Sequence, residues 1–240
     1  MGLKYKDSLA VVIPMHNEAK GASRCVRRVM EILPTLTVRS KLIVVNDGST
    51  DKTLEILSKL RNQFPKRLVV TSHPVNRGYG AGLATGVKKA YEKGFSHVVF
   101  MDSDLTNDPK DLNKFSLKMH YDLVKASRYI QGGGMVGVPR KRRAFSQVGN
   151  LLCRLSFRMG LQDYTNGFRM VRTKLLAHYR YQEKGFAIIL EEMYLLKIKR
   201  AKCSEIPVTL TARTNTTSHF HYTAPLIWAY LKYALKASVV

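Results

Sequence analysis

Short apolar runs alternate with amphipathic stretches along the first half of the sequence. The runs are rich in β-branched side chains and lie at residues 9–13, 41–45, 68–71 and 97–101. This pattern is typical of strands that are buried on both faces of a sheet. Helical periodicity fills the intervals, at residues 19–33, 50–61 and 81–92. The alternation predicts an α/β fold with a mostly parallel sheet and helices on both faces.

The second half is less regular. Residues 123–126 and 204–211 have the composition of strands, and Gly132-Gly133-Gly134 predicts a mobile or tightly turned loop. Helical patterns cover residues 142–159, 188–199 and the terminal segment. In the helix at 142–159, apolar side chains lie on or near one side, namely Phe145, Val148, Leu152 and Leu155. The sequence contains no internal repeat or clear linker, so we expect residues 1–240 to form a single domain.

The net charge narrows the choice of partner. The chain has 40 Lys and Arg against 17 Asp and Glu, which gives a formal charge of +23. The stretch from Lys125 to Lys174 is strongly basic, and Asp163 is the one acid in it. Such an excess favours an anionic partner, which leaves open a nucleic acid, a phosphorylated substrate or an acidic membrane surface.

The cysteines and the apolar segments bear on the compartment. Three scattered cysteines do not form a disulfide framework and predict a reducing, cytosolic environment. The first apolar run is too short for a signal peptide, and no run reaches the roughly 20 residues of a spanning helix. Residues 223–240 carry Lys232 and Lys236, so we expect this segment to lie on a membrane rather than to cross it.

Polar motifs follow each of the first four predicted strands. They are Pro14-Met15-His16-Asn17-Glu18, Asn46-Asp47-Gly48-Ser49, Asn76-Arg77-Gly78-Tyr79-Gly80 and Asp102-Ser103-Asp104. Ligands of parallel sheets bind at the carboxyl ends of the strands, so four such motifs predict a nucleotide site. A turn after the fourth strand would bring Asp102 and Asp104 toward one ion. Carboxylates are ligands for Mg²⁺ or Mn²⁺, which also bind nucleotide phosphates.

Together these motifs resemble family 2 glycosyltransferases of the GT-A fold. The resemblance continues through Ser127-Arg128-Tyr129, the glycines at 132–134, and the run Asp163-Tyr164-Thr165-Asn166-Gly167-Phe168-Arg169. In that order the motifs are similar to dolichyl-phosphate mannose synthases and related polyprenyl-phosphate glycosyltransferases, over about residues 10–219. The resemblance divides the domain into a nucleotide-sugar half, about residues 1–122, and an acceptor and membrane-facing half, about residues 123–240.

The resemblance also implies roles for individual residues. Those that match the nucleotide-sugar site are Pro14, His16, Glu18, Asn46, Asp47, Asp102, Ser103 and Asp104. Asp102 and Asp104 match the metal-binding acids, while Arg128, Arg142 and Ser146 match the grip on an acceptor phosphate. Asp104 and Arg128 are the expected catalytic pair. Two positions depart from the subgroup, since Thr106 stands where Gln is usual and His219 where Lys is usual.

The expected reaction is transfer of a hexose, with inversion, from a donor of the GDP-mannose or UDP-glucose type to a polyprenyl or dolichyl phosphate. An ionised phosphate needs positioning and charge cancellation rather than a strong base. The alternative within the family is a hydroxyl acceptor, which requires a base. Glu191 or Glu192 is the candidate base, although a helix surface or a salt bridge explains these residues equally well.

The excess of Lys and Arg is then explained by binding to a membrane surface and not to a nucleic acid. The helix at 142–159 and the segment at 222–236 combine basic residues with apolar ones such as Leu226, Trp228 and Leu231. They are expected to dock on an anionic bilayer, which places the protein peripherally on the cytoplasmic face of a membrane. The alternative is that both apolar faces cover the sheet.

Overall fold

The computed structural model describes residues 7–212 and 223–240. The strands are β1 (Ser8–Met15), β2 (Arg39–Asp47), β3 (Leu68–His73), β4 (His97–Phe100), β5 (Leu123–Ser127), β6 (Gly134–Val136), β7 (Arg169–Arg172), β8 (Cys203–Pro207) and β9 (Thr209–Thr211). The helices are α1 (Ala22–Ile32), α2 (Thr53–Gln63), α3 (Tyr79–Glu92), α4 (Leu112–Ser116), α5 (Arg140–Phe157), α6 (Thr173–Leu176), α7 (Ile188–Ile198) and α8 (Ala224–Ser238). His219 lies outside the described residues.

Seven strands form one central sheet in the order β3-β2-β1-β4-β7-β5-β8. The pairs among β1 to β4 are parallel, as is the pair of β5 with β8. Strand β7 runs antiparallel to both of its neighbours, β4 and β5. The prediction of a mostly parallel α/β sheet is therefore confirmed, whereas the sequence pattern did not predict β7.

The strand predicted at residues 204–211 is two strands that belong to different sheets. Strand β8 pairs with β5 in the central sheet, and β9 pairs with β6 in a small parallel ribbon. The ribbon includes Gly134, which was predicted to lie in a loop. The Gly134 N–H donates to the carbonyl of Val208 at 3.0 Å, so the junction between β8 and β9 joins the ribbon to the sheet.

Alternate residues of β1 serve two cores, one on each face of the sheet. Leu9, Val11 and Ile13 contribute to the core under α1 and α2. Ala10 and Val12 contribute to the core under α3 and α5 to α8. Every residue of β1 is buried, as expected for a central strand with helices on both faces.

Two glycines let helix α3 approach β1 closely. A Cβ on Gly86 would stand 2.1 Å from Val12 Cγ1, and one on Gly82 would stand 2.8 Å from Pro14 Cβ. Such distances are too short for any side chain, so the helix can pack at this depth only with glycine at both positions. The first turn of α3 is thereby held beside the carboxyl end of β1.

Helix α5 buries the side that carries its small polar residues. Ser146, Asn150, Cys153 and Phe157 are buried. The apolar side chains identified in the sequence point elsewhere, with Phe145 59%, Val148 58%, Leu152 47% and Leu155 63% exposed. The alternative that these four residues cover the sheet is therefore wrong.

Candidate functional site

The carboxyl ends of β1, β2 and β4 border a cavity of about 870 Å³. Seven of the eight predicted nucleotide-sugar residues line it, namely Pro14, His16, Glu18, Asp47, Asp102, Ser103 and Asp104. The predicted acceptor residues Arg128, Arg142 and Ser146 line it as well. The cavity therefore brings together two groups of residues that are far apart in the sequence.

Asn46 is the predicted site residue that does not line the cavity among the described residues. It lies at the end of β2 and is 2% exposed, and its Oδ1 has no hydrogen-bond partner in the described structure. The pleat of the strand explains this difference, because successive side chains point to opposite faces and Asp47 takes the cavity side.

Asp47 organises the loop that precedes α3. Its Oδ1 accepts from Arg77 N at 2.9 Å and lies 2.6 Å from His73 Nδ1, while its Oδ2 accepts from Gly78 N at 2.8 Å. Gly78 has φ +92°, a conformation that L side chains rarely adopt. Asp47 therefore holds the glycine loop in place, in addition to the contact with a ligand that the sequence predicted.

The loops after β1 and β2 are joined to each other. His16 Nδ1 lies 2.8 Å from the carbonyl oxygen of Asp47. Asn17 has φ +54°, and its Oδ1 accepts from Thr50 N at 2.9 Å. Glu18 N donates to Thr53 Oγ1 at 2.8 Å. These bonds fix the edge of the cavity where the sequence predicted a nucleotide base.

A tight turn after β4 brings Asp102 and Asp104 to the same cavity. Leu105 takes φ +57°, which is uncommon for a residue with a branched side chain. Asp102 Oδ1 accepts from Tyr79 Oη at 3.0 Å. Asp104 Oδ1 accepts from Thr106 Oγ1 at 2.8 Å and from Thr106 N at 3.0 Å. Thr106 thus bonds to an acid at the position where the subgroup usually has Gln.

The two acids fit a hard divalent cation. In residues 7–212 and 223–240, no group of three or more His, Cys, Asp or Glu side chains is arranged to hold a metal by itself. Mg²⁺, however, is commonly bound by one or two carboxylates together with substrate phosphates and waters. Asp102 and Asp104, two carboxylates that line the same cavity, meet that requirement.

Arg128, which also lines the cavity, is held by a buried acid. Its Nε donates to Asp163 Oδ2 at 2.7 Å and its Nη2 to Asp163 Oδ1 at 2.8 Å. Nη2 also donates to Thr165 Oγ1 at 2.9 Å. Burial alone raises the pKa of Asp163, but the Arg128 guanidinium and the hydrogen bonds lower that pKa below its ordinary value. The sequence contained the signal for this pair, since Asp163 is the one acid in the basic stretch.

The other predicted acceptor residues lie on the first turns of α5. Ser146 is buried, and its hydroxyl accepts from Tyr129 Oη at 2.8 Å. Arg142 is exposed and also lines the cavity. The three predicted acceptor residues therefore differ in burial, because Ser146 is buried, Arg128 is largely buried beside Asp163, and Arg142 is exposed.

Not every basic residue of the stretch is at the surface. Lys125 is fully buried, and its ammonium donates to the carbonyls of Tyr164 and Asn166. Burial, and next the charge of Arg169, lower the pKa of Lys125 to about 7. The interpretation of the whole stretch as a surface for anions is therefore wrong for this residue and for Arg169, which is also fully buried.

Glu191 and Glu192 are buried on α7 and are not among the described residues that line the cavity. Glu192 Oε2 accepts from Arg169 Nε at 2.7 Å. Burial raises the pKa of Glu192, an effect that Arg169 opposes without cancelling. Glu191 accepts from Gln182 N and Glu183 N, each at 2.8 Å. Both glutamates therefore have structural partners, and neither is placed to act as a base.

Helices α5 and α8 pack against each other, and both carry exposed apolar side chains. Trp228 is 70% exposed and Leu235 74% exposed on α8. On α5, the exposed Phe145, Val148 and Leu152 line the cavity. Four consecutive basic residues begin α5, from Arg140 to Arg143, and all are exposed. Of the helices that the structure describes, none is both long and apolar enough to span a bilayer.

The sequence is similar to those of known proteins. The family model described as glycosyl transferase family 2 matches residues 10–180. The polyprenol monophosphomannose synthase of Mycolicibacterium smegmatis is 28% identical over 208 residues, which are 85% of this chain and 77% of that protein. The dolichol-phosphate mannosyltransferase of Pyrococcus furiosus is 26% identical over 215 residues, which are 88% of this chain and 58% of that protein.

The fold also has solved counterparts. The glucosyl-3-phosphoglycerate synthase of Mycobacterium tuberculosis, solved with Mn²⁺, UDP and glucosyl-3-phosphoglycerate, superimposes with a TM-score of 0.64 at 20% identity. The match covers 97% of this chain and 79% of that one. The GT-A architecture expected from the sequence is confirmed.

Proposed function

The chain belongs to glycosyl transferase family 2, and from that premise we propose that it transfers a hexose from a nucleotide sugar to a polyprenyl or dolichyl phosphate. The observation that carries the proposal is one cavity lined by two chemically different groups of residues. The acids of the strand ends form one group, named the acid wall, and Arg128, Arg142 and Ser146 form the other, named the basic wall. The two polyprenol-type relatives, which this chain spans over 77% and 58% of their lengths, support the acceptor class.

The donor is assigned to the acid wall. Pro14, His16 and Glu18 would contact the base, and Asp47 would contact the ribose or phosphate while it holds the glycine loop. Asp102 and Asp104 would hold Mg²⁺ or Mn²⁺; a related fold was solved with Mn²⁺ and UDP. When bound, such an ion supplies positive charge to the leaving diphosphate.

The acceptor phosphate is assigned to the basic wall. An oxygen of the phosphate attacks the anomeric carbon and forms the new C–O bond, while the bond to the donor diphosphate breaks and its electron pair leaves with the nucleoside diphosphate. Arg128 and Arg142 would orient the phosphate and cancel its charge, and Ser146 would donate a hydrogen bond. The displacement inverts the anomeric centre.

The buried glutamates support a phosphate rather than a hydroxyl acceptor. A hydroxyl must lose a proton during attack, which requires a base within hydrogen-bond reach. Glu191 and Glu192 were the candidates, and their carboxylates are occupied by backbone N–H groups and by Arg169. A phosphate that is ionised at neutral pH does not need such a base.

The apolar surface of α5 and α8 is assigned to an anionic bilayer. Trp228, Leu235 and the exposed side of α5 would enter the headgroup boundary, and the basic residues at the start of α5 would contact acidic lipids. The cytoplasmic face is the proposed side, because Cys25, Cys153 and Cys203 are free, as expected in a reducing compartment.

The test is a transfer assay in which donors and acceptors are varied separately. GDP-mannose, UDP-glucose and related donors are offered with Mn²⁺ and one of three acceptors: a polyprenyl phosphate, the matching polyprenol, or 3-phosphoglycerate. We expect release of nucleoside diphosphate and a lipid-linked sugar only with the polyprenyl phosphate. Transfer to the polyprenol or to 3-phosphoglycerate instead would move the assignment to a hydroxyl acceptor.

A further inference from the structure

Each of the two acids assigned to the metal has one carboxylate oxygen held by a hydroxyl of the protein. Tyr79 Oη donates to Asp102 Oδ1 at 3.0 Å. Thr106 Oγ1 donates to Asp104 Oδ1 at 2.8 Å, and the backbone N–H of Thr106 reaches the same oxygen at 3.0 Å. The two hydroxyls come from different elements, since Tyr79 begins α3 and Thr106 follows the turn after β4.

Tyr79 is itself fixed by a loop from the second half of the chain. Its ring packs against that of Phe186, with centroids 4.7 Å apart and planes inclined by 32°. The next residue, Gly80, donates its N–H to the carbonyl of Lys184 at 2.7 Å. A Cβ on Gly80 would stand 2.3 Å from the carbonyl oxygen of Glu183, so the loop lies directly on the first turn of α3.

The hydroxyl of Tyr79 and the carboxylate of Asp102 are also packed on a second side. A Cβ on Gly167 would stand 3.5 Å from Asp102 Oδ2 and 3.6 Å from Tyr79 Oη. Arg169 Nη1 donates to the carbonyl of Gly167 at 2.7 Å, which anchors this contact in the buried ion pair with Glu192. The Tyr79–Asp102 bond is thus enclosed by two loops.

We propose that Tyr79 and Thr106 are positioning residues that orient Asp102 and Asp104 for the divalent cation. A carboxylate held through one oxygen has a fixed rotation, so binding of the ion does not have to order it. The inference rests on the proposed metal site and adds to it the residues that prepare that site. Thr106 acts in this role through Asp104, at the position where the subgroup usually has Gln.

The experiment measures Mn²⁺ binding rather than turnover. The free Mn²⁺ signal is followed by electron paramagnetic resonance for the wild type, Tyr79→Phe and Thr106→Val, each with saturating UDP or GDP, whichever the wild type binds more tightly. Both substitutions remove a hydroxyl and keep the shape of the side chain. Loss of an outer-shell partner commonly weakens metal binding about 10-fold or more, and we expect that loss for Tyr79→Phe. Thr106→Val should lose less but more than about twofold, because the backbone N–H of residue 106 still donates to Asp104 Oδ1.

Tyr91→Phe is the matched control, because Tyr91 lies on the same helix, is 37% exposed and packs edge-on against His178 away from the acids. Its Mn²⁺ affinity should equal that of the wild type. Nucleotide affinity without metal should stay within about twofold in all variants, since only the orientation of the acids changes. In steady-state assays the Mn²⁺ concentration for half-activation should rise in Tyr79→Phe, while kcat at saturating Mn²⁺ recovers.

The outcomes separate this inference from the proposed function. If the wild type with nucleotide binds no Mn²⁺, the metal site itself is wrong and the inference falls with it. If the wild type binds and both variants bind within about twofold of it, the inference alone is overturned. A fall in metal-free nucleotide affinity in Tyr79→Phe would mean that Tyr79 contacts the donor, which also overturns it. If Tyr79→Phe does not fold, Thr106→Val decides.

Discussion

The two walls of the cavity are built on different principles. Three carboxylates of the acid wall are held by protein donors: Asp47 by two backbone N–H groups, Asp102 by Tyr79, and Asp104 by Thr106. In the basic wall Arg128 is held by Asp163, while Arg142 is exposed on the first turn of α5. The acid wall is ordered by hydrogen bonds from its own loops, which favours stabilisation of charge without reorganisation. The basic wall combines arginines with exposed apolar side chains of α5 that also line the cavity, so a large amphipathic ligand can cover it.

The arginines repeat this contrast within the basic stretch. Arg128 and Arg169 each bind a buried carboxylate and stabilise loops beside the cavity. The residues from Arg140 to Arg143 are exposed at the start of α5. Net charge counts both kinds equally, so the +23 overstates the basic surface that a partner can contact.

The largest effect on transfer is expected when an acid of the acid wall is removed. Asp104→Ala should abolish transfer, because the leaving diphosphate loses the counter-charge that the acid holds. Chelation should abolish transfer by the wild type as well. The measurement is nucleoside diphosphate release with and without excess EDTA, with Asp108→Ala as the control, since Asp108 caps a short 3₁₀ helix nearby. Full activity of the wild type in EDTA would contradict the assignment of a metal ion to the acid wall.

The second effect tests the difference between buried and exposed arginines. Arg169→Met should reduce the free energy of unfolding by about 3–5 kcal/mol, because Glu192 is left buried without its partner. Removing both charges, in Arg169→Met with Glu192→Leu, should recover most of that loss. Arg142→Met should change stability by less than about 0.5 kcal/mol. Urea denaturation measures the free energy of unfolding of all three variants. Equal losses for Arg169→Met and Arg142→Met would contradict the distinction between buried and exposed arginines.

The third effect concerns the acceptor. Hydrogen bonds to charged groups contribute about 1.5–3 kcal/mol, so Arg142→Ala should raise the apparent KM for polyprenyl phosphate about 10-fold or more with kcat little changed. Arg128→Lys should lower kcat, because the forked bond to Asp163 is lost and the remaining charge is no longer oriented.

Arg154→Ala provides the control for the acceptor, since Arg154 lies on α5 and bonds to Gln162. Its KM and kcat should match those of the wild type. Wild-type kinetics in both Arg142→Ala and Arg128→Lys would contradict the assignment of the acceptor phosphate to the basic wall.

The smallest effect concerns the membrane. Arg140→Gln and Lys141→Gln should each weaken binding to anionic vesicles by about 1 kcal/mol, and added salt should reduce the difference. Lys59→Gln should have no effect, because Lys59 lies on α2, whose core is on the opposite face of the sheet. Sedimentation that shows equal, salt-insensitive binding to neutral and anionic vesicles would contradict electrostatic docking.

The parallel half of the fold was predictable because its signals are local. Apolar runs marked β1 to β4, and the polar motif after each run marked the edge of the cavity. Strand β7 was not predictable in the same way, since it is four residues long and both of its ends are arginines. Arg169 has the composition of a surface residue in the sequence, and its burial depends on partners that the local pattern does not show, above all the distant Glu192.

The candidate site shows the same limit. The acids and basic residues of the cavity were recognised from motifs. Tyr79 also lies in one of those motifs, but its role was not predicted, because its contact with Phe186 joins segments more than one hundred residues apart. Asn46 was assigned with Asp47 as a pair, although the pleat of β2 sends the two side chains to opposite faces. Motifs identify residue types, while the direction of each side chain depends on the register of the sheet.

The antiparallel strand β7 sets an order on folding during synthesis. Strands β1 to β4 are contiguous in the sheet and are complete once Phe100 has been made, but the free edge of β4 pairs with β7, where Phe100 meets Arg169. The sheet cannot become continuous until that later segment has left the ribosome. An unpaired strand edge is a template for pairing with other chains, so the interval between β4 and β7 is when folding competes with aggregation.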